Sequence, residues 1–368
     1  MKKFKLKKII RQLHLILGLT SGLVVFIVGL AGATLAFEEE AREIFQHDFY
    51  HVKQVENQRL PFKQMQDTVK AHYPKAKITS IRFTETKDAA IIFYSKKDIA
   101  ISINPYNARI IGIQDLETDF FTVILALHTH LLLGDFGAVI IKANILIFFI
   151  MCVSGLILWW PKQARFFKQA TTINLKTKNW KRLNWDLHSV LGFYALIILL
   201  LISLTGMFFV YDTVKNTAAF ITGATAAKEG KIKIEPQDQK HFNIDKAYQY
   251  MVLNYPGAQV TFITPAATKN DAIRVQMRYA YTIVRHQNTV YFNPYNGKVV
   301  KTDLFKNYTG YDEIAASTYN LHTGRFKLIG IGSKIIYFFA GLIAAFLPVT
   351  GFMIWLGKRR KTKKQLKR

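Results

Sequence analysis

Four long apolar runs, at about residues 9–37, 120–160, 185–211 and 317–357, alternate with ordinary polar sequence. Each offers the ~20 apolar residues that a spanning helix needs, so the pattern predicts four transmembrane helices. The second and fourth runs are long enough to hold a short flanking element as well. After the first and third runs the periodicity changes. Stretches 61–73 and 244–255 read as amphipathic helices, each stopped by a Tyr-Pro pair, Tyr73-Pro74 and Tyr255-Pro256. Alternating β-branched runs follow, at 78–83, 89–94 and 99–103 in one segment and at 259–264, 272–279 and 289–292 in the other. Each set reaches an Asn-Pro-Tyr-Asn turn, beginning at Asn104 and Asn293, where Asn followed by Pro suits a type I turn.

The same order twice over is an internal repeat. Leu13, His14 and Gly18, with Gly32, recur 174 positions later as Leu187, His188 and Gly192, with Gly206. Leu127, His128 and Thr129 recur as Leu321, His322 and Thr323, and Ser154, Gly155 and Trp159 as Thr350, Gly351 and Trp355. The predicted fold is therefore a membrane α-helical protein: a four-helix transmembrane core built from two parallel repeats, with two extracytoplasmic α+β modules, each a helix and antiparallel hairpins. Its parts are helix 1 (1–37), module 1 (38–119), helix 2 (120–160), a basic loop (161–184), helix 3 (185–211), module 2 (212–316), helix 4 (317–357) and a basic tail (358–368). Copies of like orientation imply a pseudo-two-fold axis along the membrane normal.

Charge orients this arrangement. The formal net charge of +26 would raise nucleic-acid binding in a soluble protein, but its Lys and Arg crowd the start, the middle link and the tail. On a four-span chain these fall on one side, and the positive-inside rule makes that side cytoplasmic, with both termini there and both modules outside. The first run is read as a span and not a signal peptide, because its apolar core exceeds the 7–15 residues or so of a signal sequence and it matches the third run. The single cysteine, Cys152, excludes an intrachain disulfide and any cysteine-based metal set, and reads as a small buried apolar residue.

Histidines are costly inside a bilayer, so four at two matched depths imply a paired function. His14 and His188 fall near the cytoplasmic face, and His128 and His322 near the outer face. Two histidines from facing helices at one depth can supply both axial positions of a haem iron. The expected cofactors are thus two b-type haems, one held by His14 and His188 and one by His128 and His322. Gly18 and Gly192, one turn beyond the inner histidines, leave room for a porphyrin; close helix packing through small residues explains them equally well. His130 points about 200° away from His128 on a helix. It is open to four readings: ligand of a second haem, propionate contact, lining of the substrate approach, or a polar residue at the lipid boundary. Arg325 and Lys327 read as snorkelling cations or as partners of an anionic chelate. The tryptophans read as an interfacial belt, and His47, His51, His72, His241 and His286 as surface residues. Dinucleotide-binding, Walker and His-Glu-x-x-His patterns are missing, so nicotinamide, ATP and zinc-protease chemistry lack support.

Taken together, Leu-His-x-x-x-Gly opening the first and third spans, Leu-His-Thr opening the second and fourth, and the duplicated modules resemble the PepSY-associated transmembrane family over nearly the whole chain. The resemblance implies PepSY modules and a bacterial inner-membrane protein tied to iron uptake, some members being similar to di-haem ferric-siderophore reductases. The expected function is an oxidoreductase that passes electrons across the inner membrane to ferric iron in a siderophore or related chelate. Some relatives carry a fused flavin reductase module where this chain has a basic tail, so the expected donor is quinol or a separate reductase. The alternative is a haem-free scaffold or regulator whose PepSY-like modules bind a periplasmic protein or peptidase through a sheet edge. Transport of the chelate itself is disfavoured because no broken-helix pair is legible.

Overall fold

The computed structural model describes residues 2–96, 99–225, 232–237 and 242–365. His241 and the last three residues of the basic tail lie outside them. The first copy runs α1 (Lys2–Ala36), α2 (Glu38–Phe45), α3 (His47–Tyr50), α4 (Phe62–His72), β1 (Ile78–Thr84), β2 (Ile91–Ser95), β3 (Ile99–Ile103), β4 (Ile110–Asp115), α5 (Phe120–His130) and α6 (Gly134–Trp159). A short α7 (Phe167–Ala170) lies in the link. The second copy runs α8 (Trp180–Val210), α9 (Asp212–Ile221), α10 (Ile244–Asn254), β5 (Val260–Thr264), β6 (Ile273–Arg278), β7 (Gln287–Phe292), β8 (Val299–Asp303), α11 (Gly310–Thr323) and α12 (Ile331–Gln365). The chain divides into a helical unit (Met1–Phe37, Val123–Lys215, Thr318–Arg368) and a sheet unit (Glu38–Thr122, Asn216–Ser317).

Within the helical unit α1, α6, α8 and α12 each contain a stretch long and apolar enough to cross a membrane. Lys7 donates to the Trp160 carbonyl at 3.3 Å, which brings the start of α1 to the end of α6. Tyr211, just past α8, donates to the Lys142 carbonyl at 2.6 Å, so α6 and α8 are antiparallel too. Contact between α1 and α12 is made by small residues. A Cβ on Gly29 would lie 2.9 Å from the Ala345 nitrogen and 3.0 Å from the Gly341 oxygen. Pro348 interrupts the hydrogen-bond ladder of α12 and packs opposite Gly22.

Runs 120–160 and 317–357, expected as single spans with room for a flanking element, are each interrupted. The first copy breaks at Leu131 and Leu132, with φ of 54° and 58°, and at Gly134. The second breaks at Gly324 and Gly330, also at positive φ. Glycine reaches this region freely, whereas each leucine there is strained by roughly 1–2 kcal/mol. Both breaks precede a helix, α6 or α12, that is itself of spanning length, so neither makes the broken-helix pair of a transporter. What they set apart is a short helix ending near His128 or His322.

In the sheet unit the two modules do not make two small sheets. They build one antiparallel sheet of eight strands, in the order β4-β3-β2-β1-β5-β6-β7-β8, joined where Ile81 pairs with Ile263 and Arg82 with Phe262. The fourth strand of each half, β4 and β8, was not anticipated, because the 110–115 and 299–303 segments do not alternate cleanly. α4 and α10 cover one face with a shared core in which Met65, Val69, Ile81, Ile263, Val275 and Met251 are fully buried. Fully burying such a side chain contributes about 1.5–3 kcal/mol, and each module alone would lose the part supplied by the other. In the first half the opposite face is covered by Phe49, Tyr50 and Val52 packing on Ala90, Ile92 and Ala100.

α5 begins at a buried ion pair. The Asp119 carboxylate accepts from Arg42 at 2.5 and 3.1 Å and from the Thr122 backbone and hydroxyl, each at 3.0 Å. Burial works against the Asp119 charge, but Arg42 and Thr122 outweigh it and hold the carboxyl below its ordinary value. A depressed carboxylate stabilises the fold above its unfolded value, near 4, and loses that contribution as pH falls through the folded value. Asp119→Asn is therefore expected to cost roughly 2–4 kcal/mol at neutral pH. Thermal melts of both proteins should converge as pH drops below 4; a gap constant with pH would refute the charge assignment.

Candidate histidine centre

The four repeated histidines use one local design: His14 and His188 lie in the spanning helices α1 and α8, His128 and His322 on the short helices α5 and α11. Each directs Nδ1 at a carbonyl or hydroxyl oxygen of a neighbouring helix. His14 Nδ1 lies 2.8 Å from the Ser154 hydroxyl of α6, and His188 Nδ1 lies 2.8 Å from the Thr350 hydroxyl and 3.1 Å from the Leu347 carbonyl of α12. At the other level His128 Nδ1 donates to the Val28 carbonyl of α1 at 3.0 Å. His322 Nδ1 lies 3.1 Å from the Ile202 carbonyl and 3.0 Å from the Thr205 hydroxyl of α8. A carbonyl partner accepts only, so it fixes the tautomer with the proton on Nδ1 and the lone pair on Nε2. Metal-ligating histidines are held in the same way by the ring nitrogen that does not bind.

Each ring also lies edge-on to a glycine. An added Cβ would sit 3.5 Å from His14 Cε1 at Gly155 and 3.4 Å from His188 Cε1 at Gly351. At the other level it would sit 3.1 Å from His128 Cε1 at Gly32 and 3.4 Å from His322 Cε1 at Gly206. These four glycines, together with Ser154, Thr350 and Thr205, were not among the expected site residues. Their signal was present in the sequence, since Gly32/Gly206 and Ser154-Gly155/Thr350-Gly351 are themselves repeated. Gly18 and Gly192 are placed differently: their Cβ positions face Met151 at 3.0 Å and Leu347 at 3.5 Å, contacts of helix packing.

His128 and His322 come together, with ring centroids 6.2 Å apart and planes inclined by 66°. A metal ion held between two imidazole nitrogens at about 2 Å each leaves the ring centroids about 6 Å apart. Along α1, His14 and the Val28–Gly32 turn that receives His128 are 14 to 18 residues apart, or about 21–27 Å at a rise of about 1.5 Å per residue. The two levels are thus separated by most of a bilayer. The donor set, the oriented rings and the glycine notches fit bis-histidine ligation of a haem at the His128/His322 level.

His130 ends α5 with its Nδ1 buried and without a hydrogen-bond partner, and its carbonyl lies so near Gly137 that no Cβ would fit there. Arg325 donates to the Tyr319 hydroxyl at 2.7 Å. Trp159 stacks on Phe193 at 3.8 Å and donates to the Ala170 carbonyl, so it joins α6 to α7 and α8 and does more than anchor in an interface.

Compared with proteins of curated function, the chain finds no match. The family model described as the PepSY-associated TM region matches residues 11–358. That span takes in the repeated helices, the shared sheet and all four histidines, and the chain belongs to the PepSY-associated transmembrane family.

Proposed function

We propose that this protein is a di-haem membrane oxidoreductase, which passes electrons from the cytoplasmic side of a bacterial inner membrane to ferric iron in a siderophore or related chelate outside. The observation that carries this reading is the His128–His322 pair, two rings at metal-bridging separation whose Nδ1 atoms are already engaged. His14 and His188 would hold the second group at the other level. Each haem supplies one-electron chemistry when bound. The chain's own part is to fix the ligand nitrogens. Ser154, Thr350, Thr205 and the Val28 and Ile202 carbonyls orient the rings, and the apolar helix surfaces around them exclude water.

In this reading the basic stretches at the Lys7–Trp160 end support a cytoplasmic position for that end by the positive-inside rule, and the sheet unit would lie outside. Electrons would enter at the His14/His188 level from quinol or a separate reductase. Reduction to Fe(II) weakens a chelate built for Fe(III), which frees the metal for import. A second reading rests on the two edge strands, β4 and β8, each paired on one side only, which could accept a strand from a periplasmic protein.

Reduced-minus-oxidised spectra and a pyridine haemochrome count on purified protein separate the two. About two low-spin b-type haems per chain are expected. Absence of haem despite supplementation would overturn the reductase reading and leave the scaffold reading.

A further inference from the structure

Apart from the four repeated histidines, one set of side chains among the described residues of the sheet unit has the chemistry and spacing of a metal site. Glu43, His47 and His51 follow one another at intervals of four across the α2–α3 junction, where Gln46 leaves helical geometry with φ of −127° and the His51 N–H to His47 carbonyl bond of 3.0 Å closes the turn of α3. The three place one ligand atom each within 4.8 Å of one another. His51 Nε2 lies 3.1 Å, and His47 Nε2 4.0 Å, from the Glu43 carboxylate, and the two imidazoles stack with centroids 4.4 Å apart.

Two further features separate this group from a chance surface cluster. His51 Nδ1 is bonded at 3.0 Å to Asp88, which comes from the β1–β2 connection far along the chain. A carboxylate behind the non-ligating nitrogen is how histidine ligands are oriented and made more basic. The backbone under the cluster is also pinned to the sheet. Val52 N–H donates to the Asp88 carbonyl at 2.8 Å, Ala90 N–H to the Tyr50 carbonyl at 2.9 Å and the Ser102 hydroxyl to the Phe49 carbonyl at 2.5 Å. Phe49 itself packs against Gly112. Ligands on such a fixed segment lose little freedom on binding.

We propose that Glu43, His47 and His51 bind a divalent transition-metal ion, with Asp88 as the carboxylate that positions His51. Two imidazoles and one carboxylate select the borderline cations, Zn(II) and Fe(II) among them, over Mg(II) or Ca(II), which prefer all-oxygen sites. Three protein ligands on one side leave the remaining positions to water or a chelate oxygen.

The test is calorimetric titration of the full-length, haem-loaded protein with Zn(II), alongside His51→Ala, Glu43→Gln and Asp88→Asn. Wild type is expected to bind one more Zn(II) than His51→Ala, and Asp88→Asn to bind it about 10–100-fold more weakly. Glu43 is exposed, so Glu43→Gln tests the site without disturbing the core; it too should weaken binding, with an unchanged melting temperature. Identical zinc isotherms for wild type, His51→Ala and Glu43→Gln would overturn the site. The outcome is independent of the haem reading, because a haem-free preparation that still shows the difference retains this site.

Discussion

Replacing His322 with alanine should lower the haem content of the purified protein from about two per chain to about one, and His128→Ala should remove the same group. The expectation follows from the 6.2 Å separation of their rings and from the Nδ1 bond that each makes to a different neighbouring helix. His14→Ala and His188→Ala should each remove the other. Combinations sharpen the test. Two ligands of one iron act as a unit, so His128→Ala with His322→Ala should lose no more than either alone, whereas His14→Ala with His322→Ala should lose everything. Histidines that only cross-link helices would give another pattern. Each loss would then cost roughly 1 kcal/mol, costs at separate helices would add, and the spectrum would not change. Retention of full haem by single variants at both levels would sink the ligand assignment. Potentiometric titration identifies which group remains, since the two levels present different hydroxyl and carbonyl partners.

Much of this architecture is legible in the residues because the chain states it twice. Matching His14 to His188 and His128 to His322 needs only the sequence, and so does the prediction of four apolar helices. What escaped was contact across the repeat. Module size suggests that the two modules dock against one another, but nothing in the alternation at 78–83 or 259–264 tells that β1 and β5 will pair, since each also has a local partner, and so one continuous sheet was not foreseen. The helix breaks escaped for a different reason. Leu131 and Leu132 are poor residues for positive φ, and no local rule places a left-handed turn there. The glycines show a third limit. Spacing puts Gly18 on the face of His14, yet the contact that matters to that ring is Gly155 on another helix, which only packing reveals. At Glu43, His47 and His51 the helical interval was visible, but Asp88, which gives the interval its meaning, comes from a distant connection.

Gly29→Ala should destabilise the helical unit severely, although alanine is ordinarily the better helix former by about 1 kcal/mol. The added Cβ would meet backbone, the Ala345 nitrogen at 2.9 Å and the Gly341 oxygen at 3.0 Å, and backbone cannot rotate away as a side chain does. Relief requires α1 and α12 to separate along a seam that also holds Ala33 against Gly341. Overpacking of this kind costs about 1–3 kcal/mol for one methyl group and more for a larger side chain, so Gly29→Leu should leave little monodisperse protein in detergent. Gly192→Ala is the contrasting case: its Cβ meets only Leu347 side-chain carbons, at 3.5 and 3.8 Å, which is ordinary contact, and the propensity gain should make it neutral or stabilising. A functional consequence follows from what the two helices carry. α1 supplies His14, the Val28 carbonyl and Gly32, while α12 supplies Thr350, the Leu347 carbonyl and Gly351, so a wedge between them disturbs groups at both levels. Gly29→Ala should accordingly lower haem loading at both levels together, unlike any single histidine variant. Thermal unfolding in detergent combined with the haem count reads both effects; a Gly29→Ala protein as stable as Gly192→Ala would show that the α1–α12 seam is looser than these distances require.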